Sequence, residues 1–272
     1  MRKKHPEISA VNHRSDAFVF RVLSYNIHSC VNADKQVRPE KVAEIINGLN
    51  VDIIALQEVD AEKPLSQNKN QARTISQIMN LDYVYFPLEE EGLRAFGLAL
   101  LTRFPLVDFK SDRLPNLYPK LNPRKRGAIR ATLKTPTGTI QLVNTHLSLF
   151  KMERRRQVTR LLPSSGMPAV REKEPVILCG DLNAGPLSET YRKLSRDLID
   201  VQKALENVRQ PEPTFHSRSP IFRIDHIFIS AHFTPLNVDV VRTWDTEMAS
   251  DHLSLVAELA LNKTTIKQIV LG

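Results

Sequence analysis

From Phe18 onward, short runs of apolar residues alternate along the chain with segments in which apolar residues recur at helical spacing. The short runs are rich in β-branched, leucine and aromatic residues, which predicts β-strands. Strands are expected at residues 20–27, 51–59, 83–88, 97–105, 127–135, 139–147, 176–183, 223–230 and 253–261.

The segments with helical spacing predict four α-helices, at residues 38–50, 71–80, 151–162 and 188–205. In the first of these, Val42 and Ile46 fall on one face, and Pro39 suits the first turn of a helix. Ser188 is the expected N-cap of the last helix, because its hydroxyl can accept a bond from a free backbone N–H.

The order of these elements predicts an α/β (α+β) fold with mixed sheets, because strands adjoin helices in some places and other strands elsewhere. Residues 18–262 are expected to form a single domain, with residues 1–17 and 263–272 as terminal tails. The stretch PSSGMPAVREKE, residues 163–174, has the composition of a surface loop.

The composition indicates a large core and an anionic partner. The chain has 272 residues, of which 42% are apolar, and a formal net charge of +8. This charge favours nucleic acid, phospholipid headgroups or a phosphorylated small molecule as the ligand, although a basic surface also serves solubility alone. No apolar run is long enough to span a membrane, no signal-peptide pattern opens the chain, and no protein partner can be inferred.

The two cysteines, Cys30 and Cys179, are too few for a disulfide framework or a zinc knuckle. Cys179 stands in an apolar run, which is typical of a small buried hydrophobic residue. A reducing compartment, and therefore a cytoplasmic location, is expected.

Polar side chains stand at or beside the ends of several predicted strands. They are Asn26, His28, Gln57, Glu58, Asp60, Asn144, His146, Asp181, Asn183, Asp225, His226, Asp251 and His252. Each alone has an ordinary explanation, as an exposed acid or a hydrogen-bonded histidine. Together they offer carboxylate and amide oxygens, the ligands that Mg²⁺ prefers, with waters and a substrate filling the remaining positions.

Two of these strand ends, GDLN and RIDH, show why the pattern matters. Asp181 and Asn183 follow a buried run, between Gly180 and Gly185, which suggests a sharp turn or a close backbone approach. They can hold a metal, a phosphate or a water, or simply cap the next helix. Asp225 is flanked by isoleucines, and a carboxylate buried without a partner is very costly. Its partner is expected to be distant in sequence.

Eight segments, in order, resemble the motifs of the endonuclease/exonuclease/phosphatase superfamily, whose well-known members are similar to deoxyribonuclease I and the apurinic endonucleases. They are LSYNIH, DIIALQEVD, LLTRFPL, RGAIRATL, VNTHL, GDLNAGPLS, RIDHIFIS and SDHLSLVAEL, which together span about residues 20–260. The resemblance implies a four-layer sandwich, with two mixed β-sheets packed face to face, helices outside, and the active site at one edge. It also implies a phosphoester hydrolase that uses Mg²⁺, with Mn²⁺ as a substitute.

The resemblance further implies a metal site and a phosphate site. Glu58 matches the main metal ligand, and Asn26 and Asp251 match the residues that complete the metal and water shell. Asp181 and Asn183 match the pair that orients the nucleophile and the scissile phosphate, so that Asn183 also binds phosphate.

Four more residues are assigned by the same resemblance. His252 and Asp225 match a His–Asp pair, so His252 is the expected partner of the buried Asp225. His146 matches a second catalytic histidine, able to protonate the leaving group, and Arg126 matches a phosphate-contacting arginine. Either His252 or Asp181 would take the proton of the attacking water, a contribution worth roughly 10²–10⁴ in rate.

The chain also departs from the superfamily's patterns. Leu98 stands where many members have an asparagine, which removes a polar contact from that position. SPIFRIDH replaces the Trp-Cys-Asp-Arg stretch of the inositol-phosphatase branch, and the disulfides of the secreted nucleases are absent from the sequence. Both departures argue against those branches.

The sequence leaves three substrate classes open: nucleic acid, a phospholipid headgroup as for sphingomyelinase-like members, and a small phosphoester. The basic clusters NPRKRGAIR and KMERRRQVTR favour nucleic acid, whereas few aromatic residues are offered for base stacking. Trp244, just ahead of the SDH motif, either faces substrate or packs in the core. An inactive anion-binding protein is the alternative to an enzyme, but every matched position carries a chemically competent residue.

Overall fold

The computed structural model describes residues 17–61, 70–91, 94–162 and 174–262. The expected tails, apart from Ala17, and the expected loop at 163–174, apart from Glu174, lie outside these ranges. No helix within them is both long and apolar enough to cross a membrane.

Twelve strands form the framework. They are β1 (Phe18–Asn26), β2 (Ile53–Ala61), β3 (Asp82–Glu91), β4 (Arg94–Thr102), β5 (Leu106–Arg113), β6 (Gly127–Thr135), β7 (Gly138–His146), β8 (Val176–Asp181), β9 (Ile199–Asp200), β10 (Asp225–Ile229), β11 (Phe233–Val241) and β12 (Ser254–Leu261).

Six α-helices connect them. They are α1 (Pro39–Gly48), α2 (Gln71–Met79), α3 (Lys151–Leu161), α4 (Glu189–Leu194), α5 (Val201–Ala204) and α6 (Trp244–Ala249). Pro39 opens α1, and the Ser188 hydroxyl accepts the N–H of Tyr191 at the start of α4, so both helix-start predictions are confirmed.

The strands form two mixed six-stranded sheets, in the orders β11-β12-β1-β2-β4-β3 and β5-β6-β7-β8-β10-β9. One parallel pair lies near the middle of each sheet, β1 with β2 and β7 with β8, and the neighbouring strands are antiparallel. The carboxyl ends of β1, β2, β7 and β8 therefore point to one edge, where antiparallel β10 and β12 begin. We call this the site edge.

The packing confirms the four-layer sandwich. A core between the sheets joins residues such as Phe20 and Leu98 of the first sheet to Ile129 and Cys179 of the second. Helices α1 and α2 cover the outer face of the first sheet, and α3 and α4 cover that of the second. Both cysteines are buried and unbridged.

A buried polar contact ties the two sheets together close to the site edge. The Gln57 amide donates to Oδ1 of Asn144 over 2.8 Å, and the Asn144 amide donates to the carbonyls of Leu56 and Ala99. These bonds cross from one sheet to the other, so the polar residues expected at the ends of β2 and β7 fix the spacing of the sheets there.

The structure corrects the prediction of one long helix at residues 188–205. The chain instead forms α4, then the short strand β9, then α5. Asp200 is buried where a continuous helix would place it among exposed residues; it caps α5 by accepting the N–H groups of Gln202 and Lys203, and it pairs with Arg223. This buried ion pair needs the strand geometry of β9 against β10.

Three further elements were not predicted: β5, β11 and α6. β5 and β11 are edge strands of their sheets and mix exposed polar or charged side chains with apolar ones, so neither shows a clean apolar pattern. α6 is a single short helix that starts at Trp244, which is 75% exposed and therefore does not pack in the core.

Candidate active site at the shared edge of the two sheets

The ends of five strands bring the candidate residues together at the site edge. Asn26 ends β1, and Glu58 lies near the end of β2. In the second sheet, His146 at the end of β7 is in register with Asp181 at the end of β8, which is in register with Asp225 at the start of β10. Each sheet thus supplies part of the cluster.

Oδ2 of Asp181 lies at the centre of this cluster. It is 3.2 Å from Nε2 of His146, 3.8 Å from Nε2 of His252, and 3.1 Å from the side-chain nitrogen of Asn26, which donates to it. The Asn26 amide also lies 3.4 Å from Oε1 of Glu58. Two histidines, an amide and two carboxylates therefore share one small volume.

Gly180 allows β7 and β8 to approach closely enough for this arrangement. Its φ is +144°, and a Cβ at this position would lie 1.8 Å from the carbonyl oxygen of Thr145. Only glycine adopts this conformation without strain and without a clash. The close approach expected from the GDLNAG stretch thus occurs at Gly180, whereas Gly185 has no such requirement.

Asn183 is held in a tight turn that follows β8. Its φ is +48°, and its backbone N–H donates to Oδ1 of Asp181 over 2.8 Å. Its side-chain nitrogen donates to the carbonyl of Leu147 and lies 3.1 Å from Nε2 of His146. The turn fixes the Asp181 carboxylate and brings an amide beside His146.

Glu58 enters the site through a β-bulge. The pairing of β2 with β4 shifts between Gln57 and Val59, and Glu58 has a φ of +55°. A glutamate in the left-handed region is uncommon, and strained residues of this kind cluster at functional sites. The Glu58 side chain is 23% exposed, so its carboxylate is partly open to solvent.

Behind the cluster, His252, Asp225 and Thr214 form a buried relay. Nδ1 of His252 lies 2.8 Å from Oδ2 of Asp225, and the Thr214 hydroxyl donates to the same oxygen over 2.6 Å. The ring of Phe215 packs against the His252 ring, with centroids 4.7 Å apart. The relay fixes the imidazole so that its Nε2 faces Asp181.

The charges in the site shift two pKa values strongly. Burial alone lowers the pKa of His252, but the charge of Asp225 and the bond to it raise that pKa to about 10. Burial alone raises the pKa of Asp181, but His146 and His252 hold that pKa well below its ordinary value. The resting site therefore holds an imidazolium beside a carboxylate.

Arg126 adds a buried cation beside His146. Its Nη1 lies 2.9 Å from Nδ1 and 2.8 Å from Nε2 of His146. The Arg126 side chain is almost fully buried just before β6, so it is held against the site rather than free in solvent.

Asp251 lies at the margin of the cluster. Its Oδ1 is 3.8 Å from Nδ1 of His28, and its main chain is held by the N–H of Ser217. His28, Ser29 and Cys30 all have left-handed φ values, between +45° and +54°, which turn the chain sharply after β1. Asp251 thus lies at the β1 end of the site, beside His28.

The donor set at the β1 and β2 ends fits a hard divalent cation. Glu58 presents a partly open carboxylate, with the Asn26 amide beside it and Asp251 on the adjoining loop. Oxygen ligands that leave room for water are what Mg²⁺ binds. The Asn26 amide nitrogen faces Glu58 and its Oδ1 accepts the N–H of His28, so sharing a cation with Glu58 through Oδ1 requires the amide to turn. A tighter cluster of possible ligands, Asp181, Asp225 and His252, is buried and closed by its own contacts.

Two residues of the site lay outside the sequence-based set, Thr214 and Phe215. They precede the start of β10 by eleven and ten residues in a segment without any apolar periodicity, and only the folded chain brings them to Asp225 and His252. His28 stood among the polar residues at strand ends, but nothing in the sequence linked it to Asp251.

A known protein family matches most of the chain. Residues 23–252 match the model of the endonuclease/exonuclease/phosphatase family, a span that includes all the candidate residues described above. The chain belongs to this family. Members of the endonuclease/exonuclease/phosphatase family hydrolyse phosphoester bonds. No curated protein sequence matches the chain.

Solved structures of the family share the fold. An endonuclease/exonuclease/phosphatase from Beutenbergia cavernae has a TM-score of 0.72 and 21% identity, and the match covers 90% of this chain and 72% of that one. The human Nocturnin catalytic domain with bound sulfate has a TM-score of 0.70 and 24% identity, over 90% and 95% of the two chains. ANGEL2, a 2',3'-cyclic phosphatase in complex with adenosine-2',3'-vanadate, has a TM-score of 0.70 and 20% identity, over 90% and 96%.

Proposed function

We propose that the protein is a divalent-metal-dependent hydrolase of phosphodiester bonds, with the reacting phosphate bound beside Asp181. The observation that carries this proposal is the convergence of His146, His252 and the Asn26 amide on one carboxylate oxygen. Fixed donors around a partly open site stabilise the charge that develops on a phosphate during hydrolysis.

In this proposal Glu58 holds Mg²⁺, or Mn²⁺ in its place, with Asn26 and Asp251 completing the shell. When bound, the cation neutralises charge on the phosphate and on the departing oxygen. Glu58 suits this role because its carboxylate is partly exposed and the bulge turns it into the site.

Asp181 is the group placed to accept the proton of the attacking water, because the raised pKa of His252 keeps that imidazole protonated at neutral pH. The facing atoms of Asp181 and His252 are 3.8 Å apart, so one water can contact both. Asn183 fixes the other oxygen of Asp181, and Asp225 fixes the other nitrogen of His252. Asp181 is thus held in a constant orientation, as a general base must be, and the His252 imidazolium is a donor to the water or to a phosphate oxygen.

We assign the phosphate and the leaving group to the part of the cluster that contains His146. The Arg126 guanidinium and the Asn183 amide both lie within 3.1 Å of the His146 ring nitrogens. A cation and an amide donor bind phosphate oxygens there, and His146 is the acid available to the departing oxygen.

Phosphate-like anions bound to related folds support this assignment. The Nocturnin structure holds a sulfate, and the ANGEL2 structure holds a vanadate analogue of a cyclic nucleotide. These anions are common to many phosphoester substrates, so the proposal extends to phosphodiesters as a class.

The test is a substrate panel run with Mg²⁺, with Mn²⁺ and with chelator. It contains bis-p-nitrophenyl phosphate, p-nitrophenyl phosphate, plasmid DNA, oligonucleotides, RNA and sphingomyelin. Metal-dependent hydrolysis of a diester is expected. Turnover that chelator leaves unchanged, or no turnover of any diester, would overturn the proposal.

Two variants test whether the hydrolysis seen in the substrate panel depends on the proposed site. Asp181→Asn removes the central carboxylate and is expected to lower turnover at least about 10²-fold, in the range of a lost acid–base group. Asp239→Asn alters a surface ion pair with Arg209, far from the cluster, and serves as the matched control. Equal activity of the two variants would contradict the assigned site.

A further inference from the structure

Four loops of the second sheet carry an unusual charge pattern at the site edge. They are residues 114–126 between β5 and β6, 147–150 after β7, 182–188 after β8, and 214–224 before β10. We call them the site-edge loops. Together they contain no Asp or Glu, and they expose four basic side chains, Lys120, Arg124, Lys125 and Arg218, whereas Arg126 is buried and Arg223 is paired with Asp200.

The same loops expose large apolar side chains to solvent. Leu187 is 94% exposed, Ile221 is 74% exposed and Leu149 is 66% exposed. The other exposed members used here are Leu121, Phe150 and Phe222. Single exposed leucines are normal on protein surfaces, but every site-edge loop carries at least one, and this repetition marks an interaction surface.

These apolar side chains are presented by fixed loops. The fully buried Glu153 carboxylate accepts the backbone N–H groups of Leu117 and Tyr118 and the side chains of Asn122 and Ser148, which locks the first two loops together. In the fourth loop, backbone bonds between Phe215 and Phe222 close a small hairpin.

The chain order places this surface directly around the reacting groups. Leu149 follows His146 by three residues, Leu187 follows Asp181 by six, and Phe222 precedes Asp225 by three. Each of these exposed side chains is therefore carried by a loop that begins or ends at a strand bearing a site residue.

We propose that the site-edge loops dock on the surface of a bilayer that contains anionic phospholipid, and that the substrate is a phospholipid headgroup phosphodiester. The second clause rests on the proposed function above. Lys and Arg attract anionic headgroups, and exposed leucine and isoleucine gain free energy by entering the acyl boundary. A polynucleotide fits less well, because it rewards aromatic faces for stacking, whereas the most exposed residues here are aliphatic.

The test is sedimentation with vesicles of phosphatidylcholine containing 30% phosphatidylglycerol, roughly a typical anionic surface, compared with phosphatidylcholine alone. The full chain is expected to sediment with the anionic vesicles. The triple variant Leu149→Ser, Leu187→Ser, Ile221→Ser is expected to partition at least about tenfold more weakly, because three apolar insertions are lost.

A matched control changes three exposed apolar residues that lie away from the site-edge loops: Ile78→Ser, Val107→Ser and Val208→Ser. It is expected to partition like the unchanged protein. Thermal unfolding of both triple variants verifies that each is folded. Equal partition of the two triple variants onto the anionic vesicles would overturn the docking surface. So would tighter binding of the unchanged protein to a single-stranded oligonucleotide than to the vesicles, if the site-edge variant weakens both to the same extent.

The vesicle-binding experiment and the hydrolysis experiment can fail independently of each other. Hydrolysis of bis-p-nitrophenyl phosphate without binding to anionic vesicles overturns the docking surface alone. Vesicle binding by a protein that hydrolyses no diester overturns the catalytic proposal and leaves the docking surface in place. Sphingomyelin and phosphatidylglycerol in mixed vesicles then distinguish the headgroup that is cleaved.

Discussion

The buried carboxylate of Asp225 shows how single residues set the chemistry of the site. Burying a charge is costly unless it is paired, and Oδ2 of Asp225 is paired twice, with His252 and with Thr214. The consequence reaches the reacting groups, because the paired imidazole faces Asp181 through its other nitrogen.

This pairing predicts an unusual titration of His252. The pKa of about 10 lies above the ordinary 6.5, so His252 stays protonated from pH 6 to pH 9 in chelator-treated protein. Asp225→Asn removes the charge that raises the pKa, so His252 is then expected to titrate at least about one unit lower. NMR of ¹³C-labelled histidine, with the signal assigned by its loss in His252→Asn, measures both. A wild-type midpoint near 6.5 would contradict the relay.

Glu58 and Arg126 are expected to differ in importance for turnover. Glu58→Gln keeps the shape of the side chain but removes the charge that holds the cation, so activity is expected to fall at least about 10³-fold. Arg126→Ala removes one phosphate contact and should cost less, about 10²-fold, as for one donor to the reacting group. Steady-state kinetics on one diester compares them. A larger loss in Arg126→Ala would reverse the assignment of roles.

At the scale of elements, the close approach of β7 and β8 places His146 beside Asp181. Gly180→Ala puts a methyl group against the Thr145 carbonyl at a φ that alanine avoids, so a loss of about 3 kcal/mol in unfolding free energy is expected. Gly48→Ala, at the end of α1 with nothing within 4 Å, is the control and should be neutral or stabilising by about 0.5 kcal/mol. Urea unfolding measures both, and similar losses in the two variants would exclude the close approach as the cause.

The junction of β9 and α5 depends on Asp200, whose ionisation links stability to pH. Burial alone raises its pKa, but His226 and Arg223 outweigh burial and lower it to about 2. Because the folded pKa lies below the unfolded value of 3.8, the stabilisation is full above pH 4 and is lost as the pH falls towards 2. It amounts to about 2 kcal/mol.

Asp200→Asn tests this linkage. At pH 7 the variant should lose about 3 kcal/mol, because Arg223 is left buried without its counter-charge. The difference in unfolding free energy between wild type and variant, measured by denaturant unfolding, should become smaller as the pH falls from 4 to 2. Asp239→Asn, at a surface pair, should change stability by less than about 1 kcal/mol. A gap that stays constant with pH would show that Asp200 does not titrate as stated.

The sequence predicted the central elements better than the peripheral ones, for a physical reason. Buried strands such as β2 and β8 contain continuous apolar runs, whereas the edge strands β5 and β11 mix exposed polar side chains with apolar ones and leave no such signal. The prediction of one helix at 188–205 was wrong because the spacing of apolar residues could not reveal that Asp200 is buried beside Arg223 and His226.

The candidate site shows the same limit at the level of residues. The pattern of polar strand ends included Gln57, Asn144 and His226, yet the structure uses these to join the sheets and to hold Asp200. The order of the motifs identified Asp225 and His252 as candidate site residues, whereas only the folded structure revealed that Thr214 contacts Asp225. Residue type and position cannot separate a structural polar contact from a catalytic one when both satisfy the same buried strand end.

At the scale of the whole molecule, the site depends on both sheets at once. The first sheet supplies Glu58 and Asn26, the second supplies Asp181 and His146, and the Gln57–Asn144 contact holds the sheets in place behind them. The proposed division of labour is that the first sheet binds the cation and the second binds the phosphate.

Binding of Mn²⁺, followed by electron paramagnetic resonance of the free ion, tests this division most directly. The wild-type protein is expected to bind Mn²⁺, Glu58→Gln to lose the site, and Glu44→Gln, an exposed glutamate on α1, to keep it. Asp181→Asn should still bind the ion while failing to hydrolyse diesters. Unchanged Mn²⁺ binding in Glu58→Gln, together with unchanged turnover, would contradict the proposed metal site.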